Sequence, residues 1–498
     1  MTRSAQQIDW HALRDAITPD GRAVIDGART DSADGTTFGS VDPATGMLIA
    51  EVARGGAADI DLAVAAARRA FDSGEWSRAG AEQRKKVLLT LADLLEARST
   101  EIALLESLDM GKPVSQSSTV DVPGAVATFR WYAELADKTV DELPATPPGS
   151  TALVTREPLG VVGAIVPWNY PLEIAAWKLA PALATGNSVV LKPAAESSLT
   201  ALILGDLALE AGIPAGVLSV VPGPGPGAGR AIGLHEDIDV LTFTGSTAVA
   251  KQLLSYSSRS NMKRLSLEAG GKSANIVFAD TDDIQLAAER AAFGAFYNQG
   301  EVCSANSRVL VQRAVHDDFL AAFVEASRAY LPGDPLDPAS GNGALVSEEH
   351  ADRVEKAITQ GAADGEVLTG GERLTRGNSR AYITPTIIGG LPADHRLHQD
   401  EVFGPLAVIT PFDDEDEAVE LANRTRYGLA ASLWTSHLGR AHRISARLVA
   451  GTVSVNTVDA LGLTTPFGGF RQSGFGRDLS AHALDNYVGL KTTWIQHG

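Results

Sequence analysis

The chain has 498 residues, about three times the roughly 150 of a typical domain, so two or three domains with large cores are expected. Hydrophobic residues make up 44% and charged residues 21%, values that exclude extended disorder and rod-like coiled-coil or collagen-like chains. A net charge of −19 repels phosphate backbones and anionic membranes, so neither nucleic acid nor a membrane is an expected partner, and the single cysteine excludes an intramolecular disulfide and a cysteine-built metal site.

Residues 1–10 lack the apolar core of a secretory signal, and no apolar run is long enough to cross a bilayer, so a cytoplasmic location is expected. Ile60, Leu62, Ala63, Ala66 and Phe71 recur at helical spacing, as do Val87, Leu88, Leu91, Leu94 and Leu95. After a Pro/Gly-rich turn at 144–149 the texture changes. Short apolar runs at 161–166, 188–191, 217–221, 240–243 and 275–278 alternate with helical stretches, which predicts βαβ units, a parallel sheet and an α/β class. A second α/β section follows Glu268, with a helix over 282–297, a strand over 308–311, a helix over 316–330 and turns over 332–343. The acidic cluster 413–417 reads as a solvated helix start, and 487–495 as a strand able to add to a partner's sheet.

Cys303 sits in Asn298-Gln299-Gly300-Glu301-Val302-Cys303-Ser304, a polar, glycine-bearing loop between a helix and a strand. A lone cysteine is commonly packing material, but these neighbours favour an accessible thiol able to attack a carbonyl once ionised. Glu268 ends the alternating strand Leu265-Ser266-Leu267 and precedes Gly270 and Gly271. It is either a solvated strand-end charge or a general base at the carboxyl edge of a doubly wound sheet. Pro167-Trp168-Asn169-Tyr170-Pro171 follows a strand and opens the helix carrying Trp177 and Lys178. Its prolines fix the backbone, so Asn169 either aims its amide at a developing oxyanion or caps the helix.

Three stretches suit a dinucleotide: Leu191-Lys192-Pro193 at a strand end, the glycine run Gly223–Gly229, and Phe243-Thr244-Gly245-Ser246-Thr247 between a strand and a helix start. None fits the strict G-x-G-x-x-G fingerprint. The pair His395 and His398 lacks the acidic or cysteine partners of a metal site, so no metal is expected.

PWNYP at 167–171, LKP at 191–193, FTGS at 243–246, LEAGGKS at 267–273, NQGEVC at 298–303, EVFGP at 401–405 and PFGGFRQSGFGRD at 466–478, in this order, resemble the NAD(P)-dependent aldehyde dehydrogenase superfamily from about residue 42 to 495. The stretch 260–280 is most similar to the γ-glutamyl-γ-aminobutyraldehyde dehydrogenase group. The resemblance implies a Rossmann-like cofactor domain (1–137 and 159–269), an α/β catalytic domain (270–479) and a small β element (138–158 with 480–498) through which the chain forms homodimers or homotetramers. It implies Cys303 as nucleophile, passing through a thiohemiacetal and a thioester, Asn169 and the Cys303 amide as oxyanion hole, Glu268 as activator of water and Lys178 as a supporting residue.

For the cofactor it implies Val166, Pro167, Trp168, Lys192, Ala195, Gly225, Gly229, Gly245, Ser246, Ala269, Glu401 and Phe403. For the substrate aldehyde it implies Tyr170, Glu173, Ile174, Trp177, Tyr297, Leu461 and Phe467. NAD-preferring members usually carry a glutamate where this chain has Ala195, with Glu196 one place later, so use of both NAD and NADP is expected. Ala250 replaces the last glycine of the family's GSTxxG stretch, and 460–464 is more apolar than in the closest group. One acid among aromatic walls suits an ω-aminoaldehyde or a γ-glutamyl-aminobutyraldehyde-like compound, and the same walls suit plain aliphatic or aryl aldehydes. A cofactor-independent thiol hydrolase or acyltransferase would want a histidine base, and none lies in 298–304 or 265–273. A CoA-acylating relative would pass the thioester to a thiol, whereas Glu268 favours water.

Overall fold

Runs of β-branched and aliphatic residues too short for helices become buried strands, and the computed structural model, which describes residues 8–497, places eight of them in one sheet and seven in another. Residues 1–7, on which most of the leader reading falls, lie outside the described residues. Among the described residues no helix is long and apolar enough to cross a membrane.

The first sheet has a parallel centre of five strands: Val161–Ile165, Ser188–Lys192, Leu218–Val220, Val240–Thr244 and Arg264–Glu268. Alternate residues face opposite layers, as a two-residue period demands. Val162, Ala164, Val189 and Leu191 pack into the layer of Leu88, Leu91, Ile102, Phe129 and Leu179, whereas Val161, Val190, Leu241 and Phe243 meet Ile60, Ala63, Ile232 and Leu253. Helices therefore cover both faces, and each fully buried leucine contributes about 1.5–3 kcal/mol through water excluded from its surface. The second sheet, from Glu366–Thr369 at one edge to Thr452–Val455 at the other, is parallel except at the pair Glu366–Thr369 with Thr386–Gly389. Its centre is formed by Arg308–Gln312, Ala274–Val277 and Leu406–Phe412.

Most predicted strands end within a residue or two of the observed ones, and two expectations need correction. The helix over 316–330 stops at Ser327 and tightens into a final turn, Arg328–Tyr330. The acidic cluster is paired rather than merely solvated. Asp414 caps the helix Glu415–Asn423, Glu415 is bound by Arg440 and Arg443, Asp416 by Arg447 and Asp413 by Arg313. The terminal strand Val488–Gln496 forms where expected and runs antiparallel to Ser150–Pro158, its other edge unpaired among the described residues. Its outer residues Leu490 and Trp494 stay exposed.

Candidate active site

Across the first sheet the parallel strands lie in the order Leu218–Val220, Ser188–Lys192, Val161–Ile165, Val240–Thr244, Arg264–Glu268. The chain's progress across the sheet reverses at Val161–Ile165, and a doubly wound sheet opens its ligand crevice at the carboxyl ends beside such a reversal. A cavity of about 470 Å³ lies there. Pro167, Trp168, Asn169, Ile174, Thr244, Gly245, Ser246 and Ala269 line it from the first sheet, and Cys303, His350, Arg353, Glu401 and Phe403 from the opposite side.

The loop that carries Cys303 runs through a strained stretch of backbone. The helix Ile284–Phe296 begins at the Asp283 cap, and past its end Asn298, Gln299 and Gly300 adopt φ of 50°, 57° and 71° in succession. Left-handed Asn and Gln persist only where their surroundings hold them. Asn298 Nδ2 donates to the carbonyls of Asn169 (3.3 Å) and Glu301 (3.1 Å), Gln299 N–H donates to Asn342 Oδ1 (3.2 Å), and Gln299 Oε1 accepts from Gly343 N–H (3.2 Å). Cys303 thereby reaches the cavity half-buried. Burial above all, then the charges of Asp459, Glu401 and Glu268, push its thiol well above the ordinary range.

Asn169 is buried and its Nδ2 donates to the Glu301 carbonyl at 2.9 Å. An amide carries two protons, and the second has no protein acceptor among the described residues. The capping alternative fails, because Tyr170 takes the cap position of Pro171–Ala184 and Pro171 opens the helix.

Glu268 is only 2% exposed and neither carboxylate oxygen has a hydrogen-bond partner among the described residues, which removes the reading of a solvated strand-end charge. Backbone at Gly468 lies so close that a Cβ there would stand 2.5 Å from Oε1. Desolvation and then the Asp478 charge raise the Glu268 pKa well above normal, opposed by Lys178 and Arg477. Lys178 is itself buried and its Nζ sits 2.6 Å from Asp478 Oδ2, so it meets this site through Asp478.

Of the residues expected at the cofactor, Pro167, Trp168, Gly245, Ser246, Ala269, Glu401 and Phe403 line the cavity, whereas Val166, Lys192, Ala195, Gly225 and Gly229 do not. Val166 is buried and donates to the Lys192 carbonyl. The Lys192 ammonium turns onto the Pro193 carbonyl at 2.6 Å, and desolvation lowers its pKa to about 8. Gly225–Gly229 form one wide helical turn, with Gly229 near the Lys192 stem. Ala195 is half-buried beside exposed Glu196. The lining suits a dinucleotide: Trp168 and Phe403 meet edge to face with centroids 5.2 Å apart, the buried Thr244 hydroxyl lacks a partner among the described residues, and Glu401, fixed through Gly271 N–H at 3.1 Å, offers a second oxygen. Burial lifts Glu401 to about 7.

Of the residues expected at the substrate only Ile174 lines the cavity, whereas Trp177 meets Phe467 edge to face at 5.4 Å and Tyr297 lies against Phe293 at 4.8 Å. Leu461 is 45% exposed, outside this packed wall. Lys112 Nζ stands 4.1 Å above the Tyr170 ring while bound to Asp121. Burial, then Asp121, drives the Glu173 carboxyl upward.

Sequence reasoning missed His350, which donates Nε2–H to the carbonyl of left-handed Phe403 at 2.6 Å. Burial lowers its pKa to about 4, so the neutral ring also accepts from Arg353 at Nδ1. It missed Lys112, Asp121 and Asp459 as well, the last accepting from Ser304 Oγ at 2.6 Å. Their segments carry no motif, and only tertiary packing brings them to Cys303 and Glu173.

The aldehyde dehydrogenase family model matches residues 30–493. The chain belongs to the aldehyde dehydrogenase family. It is 49% identical over 486 residues to the NADP/NAD-dependent aldehyde dehydrogenase PuuC of Escherichia coli, covering 98% of each chain, and 45% identical to an aminoacetaldehyde dehydrogenase of Pseudomonas aeruginosa, covering 99% of each. A solved γ-glutamyl-γ-aminobutyraldehyde dehydrogenase from Burkholderia cenocepacia superposes with a TM-score of 0.97 at 49% identity, covering 98% of this chain and 99% of that one. The enzyme is thus an NAD(P)-dependent aldehyde dehydrogenase that oxidises aldehydes, with the α/β fold of that family.

Proposed function

We propose that the enzyme converts an aldehyde to its carboxylate through a thioester on Cys303, and that its preferred aldehydes carry a cationic amine. The meeting of Cys303 and Asn169 in a cavity at the sheet reversal supports the first part. The bound nicotinamide would supply the hydride acceptor, held among Trp168, Glu401 and Phe403. Cys303 Sγ attacks the carbonyl carbon, and the oxygen becomes an oxyanion beside the free amide proton of Asn169 and the Cys303 N–H. Once the adduct has become a thioester, Glu268 takes a proton from water, the hydroxide adds, and Cys303 departs as thiolate. The carboxyl edge of Arg264–Glu268 delivers Glu268 immediately before Ala269, which lines the cavity.

The observation that carries the amine preference is Glu173, a desolvated carboxyl beside Tyr170 for which no ion pair or hydrogen bond is found among the described residues. Names of similar proteins support it, since aminoacetaldehyde bears an amine. Substituting Glu173→Gln is expected to lower the kcat/KM preference for an ω-aminoaldehyde over hexanal by about tenfold, one buried charge contact being worth about 1.5–3 kcal/mol. An unchanged ratio removes the amine reading.

Both cofactors are used in this reading, since Ala195 places no carboxylate where a 2′-phosphate would sit, and one similar enzyme is named for both. Steady-state kinetics should give kcat/KM for NAD and NADP within about a hundredfold, roughly 2.7 kcal/mol; a preference of several hundredfold for NAD contradicts it. The eight-stranded unit is assigned to the cofactor, the seven-stranded unit to the nucleophile, and the pair Ser150–Pro158 with Val488–Gln496 to assembly as dimers or tetramers, consistent with exposed Leu490, Trp494 and Ile495. A cytoplasmic site of action completes the proposal.

A further inference from the structure

Asp459 occupies backbone that favours glycine. Its φ is 46°, in the left-handed region, and that of Asn456 just before it is 55°. Both residues follow the edge strand Thr452–Val455, where side chains pin the turn. Asn456 Nδ2 donates to the Thr435 carbonyl at 3.0 Å, its Oδ1 accepts from the Thr435 N–H at 3.0 Å, and the Ala460 N–H donates to Ser454 Oγ at 3.3 Å. Strained backbone of this kind persists only where its surroundings over-determine it, and it gathers at functional sites.

The turn delivers a carboxylate to the residue that follows the nucleophile. Asp459 Oδ1 accepts from the Ser304 hydroxyl at 2.6 Å, the length of a charge-assisted bond, although 155 positions separate the two. Ser304 is buried, and neither it nor Asp459 lines the cavity. Before Cys303 the chain is held by Asn298 and Gln299, and after it the Asn306 N–H donates to the Gly294 carbonyl at 2.8 Å. Between those anchors the Asp459 bond holds the position next to Cys303. Three acids from three elements act on the thiol, Asp459 ahead of Glu401 and Glu268, and the Ser304 N–H opposes them by bonding to the sulfur. Burial pushes the Asp459 carboxyl up, and the bond from Ser304 restrains it.

We propose that Asp459 is a positioning residue for the nucleophile: by accepting from the Ser304 hydroxyl it fixes the Ser304 N–H against Cys303 Sγ and so aims the sulfur at the aldehyde carbon. The inference rests on the thiol chemistry proposed above and assigns a role exercised through Ser304, not on the substrate. The grip favours the thiolate, whereas the negative charge of Asp459 disfavours it. Substitutions separate the two. Asparagine keeps an acceptor and drops the charge, Ser304→Ala drops the grip and keeps the charge, and Asp459→Ala drops both.

The experiment compares wild type, Ser304→Ala, Asp459→Ala, Asp459→Asn and the double alanine variant. It measures kcat/KM for hexanal and for benzaldehyde, KM for NAD, the rate of iodoacetamide inactivation from pH 6 to pH 10, and Tm. Each single alanine variant is expected to lose about tenfold in kcat/KM for both aldehydes, as a misplaced attacking atom does, with KM for NAD unchanged. The double variant should fall no more than about twofold below either, since one bond is lost once. Asp459→Asn should keep at least about a third of wild-type kcat/KM, because its amide oxygen still accepts from Ser304. The inactivation profile should move to higher pH in Ser304→Ala and to lower pH in Asp459→Asn, opposite shifts that a merely structural residue does not give.

Unchanged kcat/KM in the single alanine variants, losses that multiply, or inactivation profiles that move together overturn the proposal. A loss confined to one aldehyde makes Asp459 a wall of the substrate site, which also overturns it. So does an asparagine variant as impaired as Asp459→Ala, with Tm lowered equally in both, since the carboxylate then only supports the fold. Wild-type enzyme that stays active after complete alkylation of Cys303 removes the thiol chemistry itself, whereas every other adverse outcome leaves that chemistry standing.

Discussion

Replacing Cys303 with alanine is expected to reduce aldehyde oxidation by about 10⁴-fold or more, the scale on which a covalent nucleophile is lost from a site that otherwise stays assembled. The loop is held by Asn298, Gln299 and Glu301, none of which bonds to the thiol, so the variant should fold and bind the dinucleotide within a few-fold of wild type. Cofactor titration by fluorescence separates that result from unfolding. Retained turnover would remove the covalent mechanism, whereas turnover by the wild-type enzyme without NAD, lost in the alanine variant, would point to a thiol hydrolase. The raised pKa values of Cys303 and Glu268 fix the sign of the pH dependence. A group whose pKa is raised holds its proton at pH 7 and releases it as pH climbs, and in the proposed mechanism both the thiolate and the carboxylate are the working forms. Wild-type kcat/KM should therefore increase from pH 7 to pH 9, and alkylation of Cys303 by iodoacetamide should accelerate over the same range.

The strands at 161–166, 188–191 and 240–243 were legible because parallel strands buried on both faces must be short and continuously apolar. Cys303, Asn169 and Glu268 were legible for a different reason: each stands in a run of turn-forming residues directly after or before such an element. Alternatives that the local pattern left open were closed by burial. Asn169 as a cap gave way because Tyr170 occupies that position, and Glu268 as a solvated charge gave way because it is enclosed. His350 was invisible, since its meaning depends on the Phe403 carbonyl, 53 positions away. The acidic cluster shows the converse, where arginines from another helix turned an apparent solvated run into paired charges.

Lys178→Met should destabilise the enzyme by about 3–5 kcal/mol, because it leaves Asp478 buried without its cation. Against a total stability of roughly 5–15 kcal/mol, that is large enough to read in urea unfolding. In the variant the Asp478 carboxyl keeps the full desolvation cost and loses the opposing charge, so its native pKa rises further above the unfolded value of about 3.9. The native state then binds more protons than the unfolded state, and stability falls as pH rises through the interval between the two values. The deficit relative to wild type should accordingly be smaller at pH 5 than at pH 8, and a deficit independent of pH would show that packing of the lysine stem, not charge, is what was lost. Lys178→Met with Asp478→Leu should recover part of the stability, since removing both charges leaves no unpaired ion. Activity should not return with it. Glu268 would lose two of the three charges that act on it, Asp478 and Lys178, and keep Arg477, so its activity profile should shift, which separates a positioning function for Lys178 and Asp478 from a purely structural one.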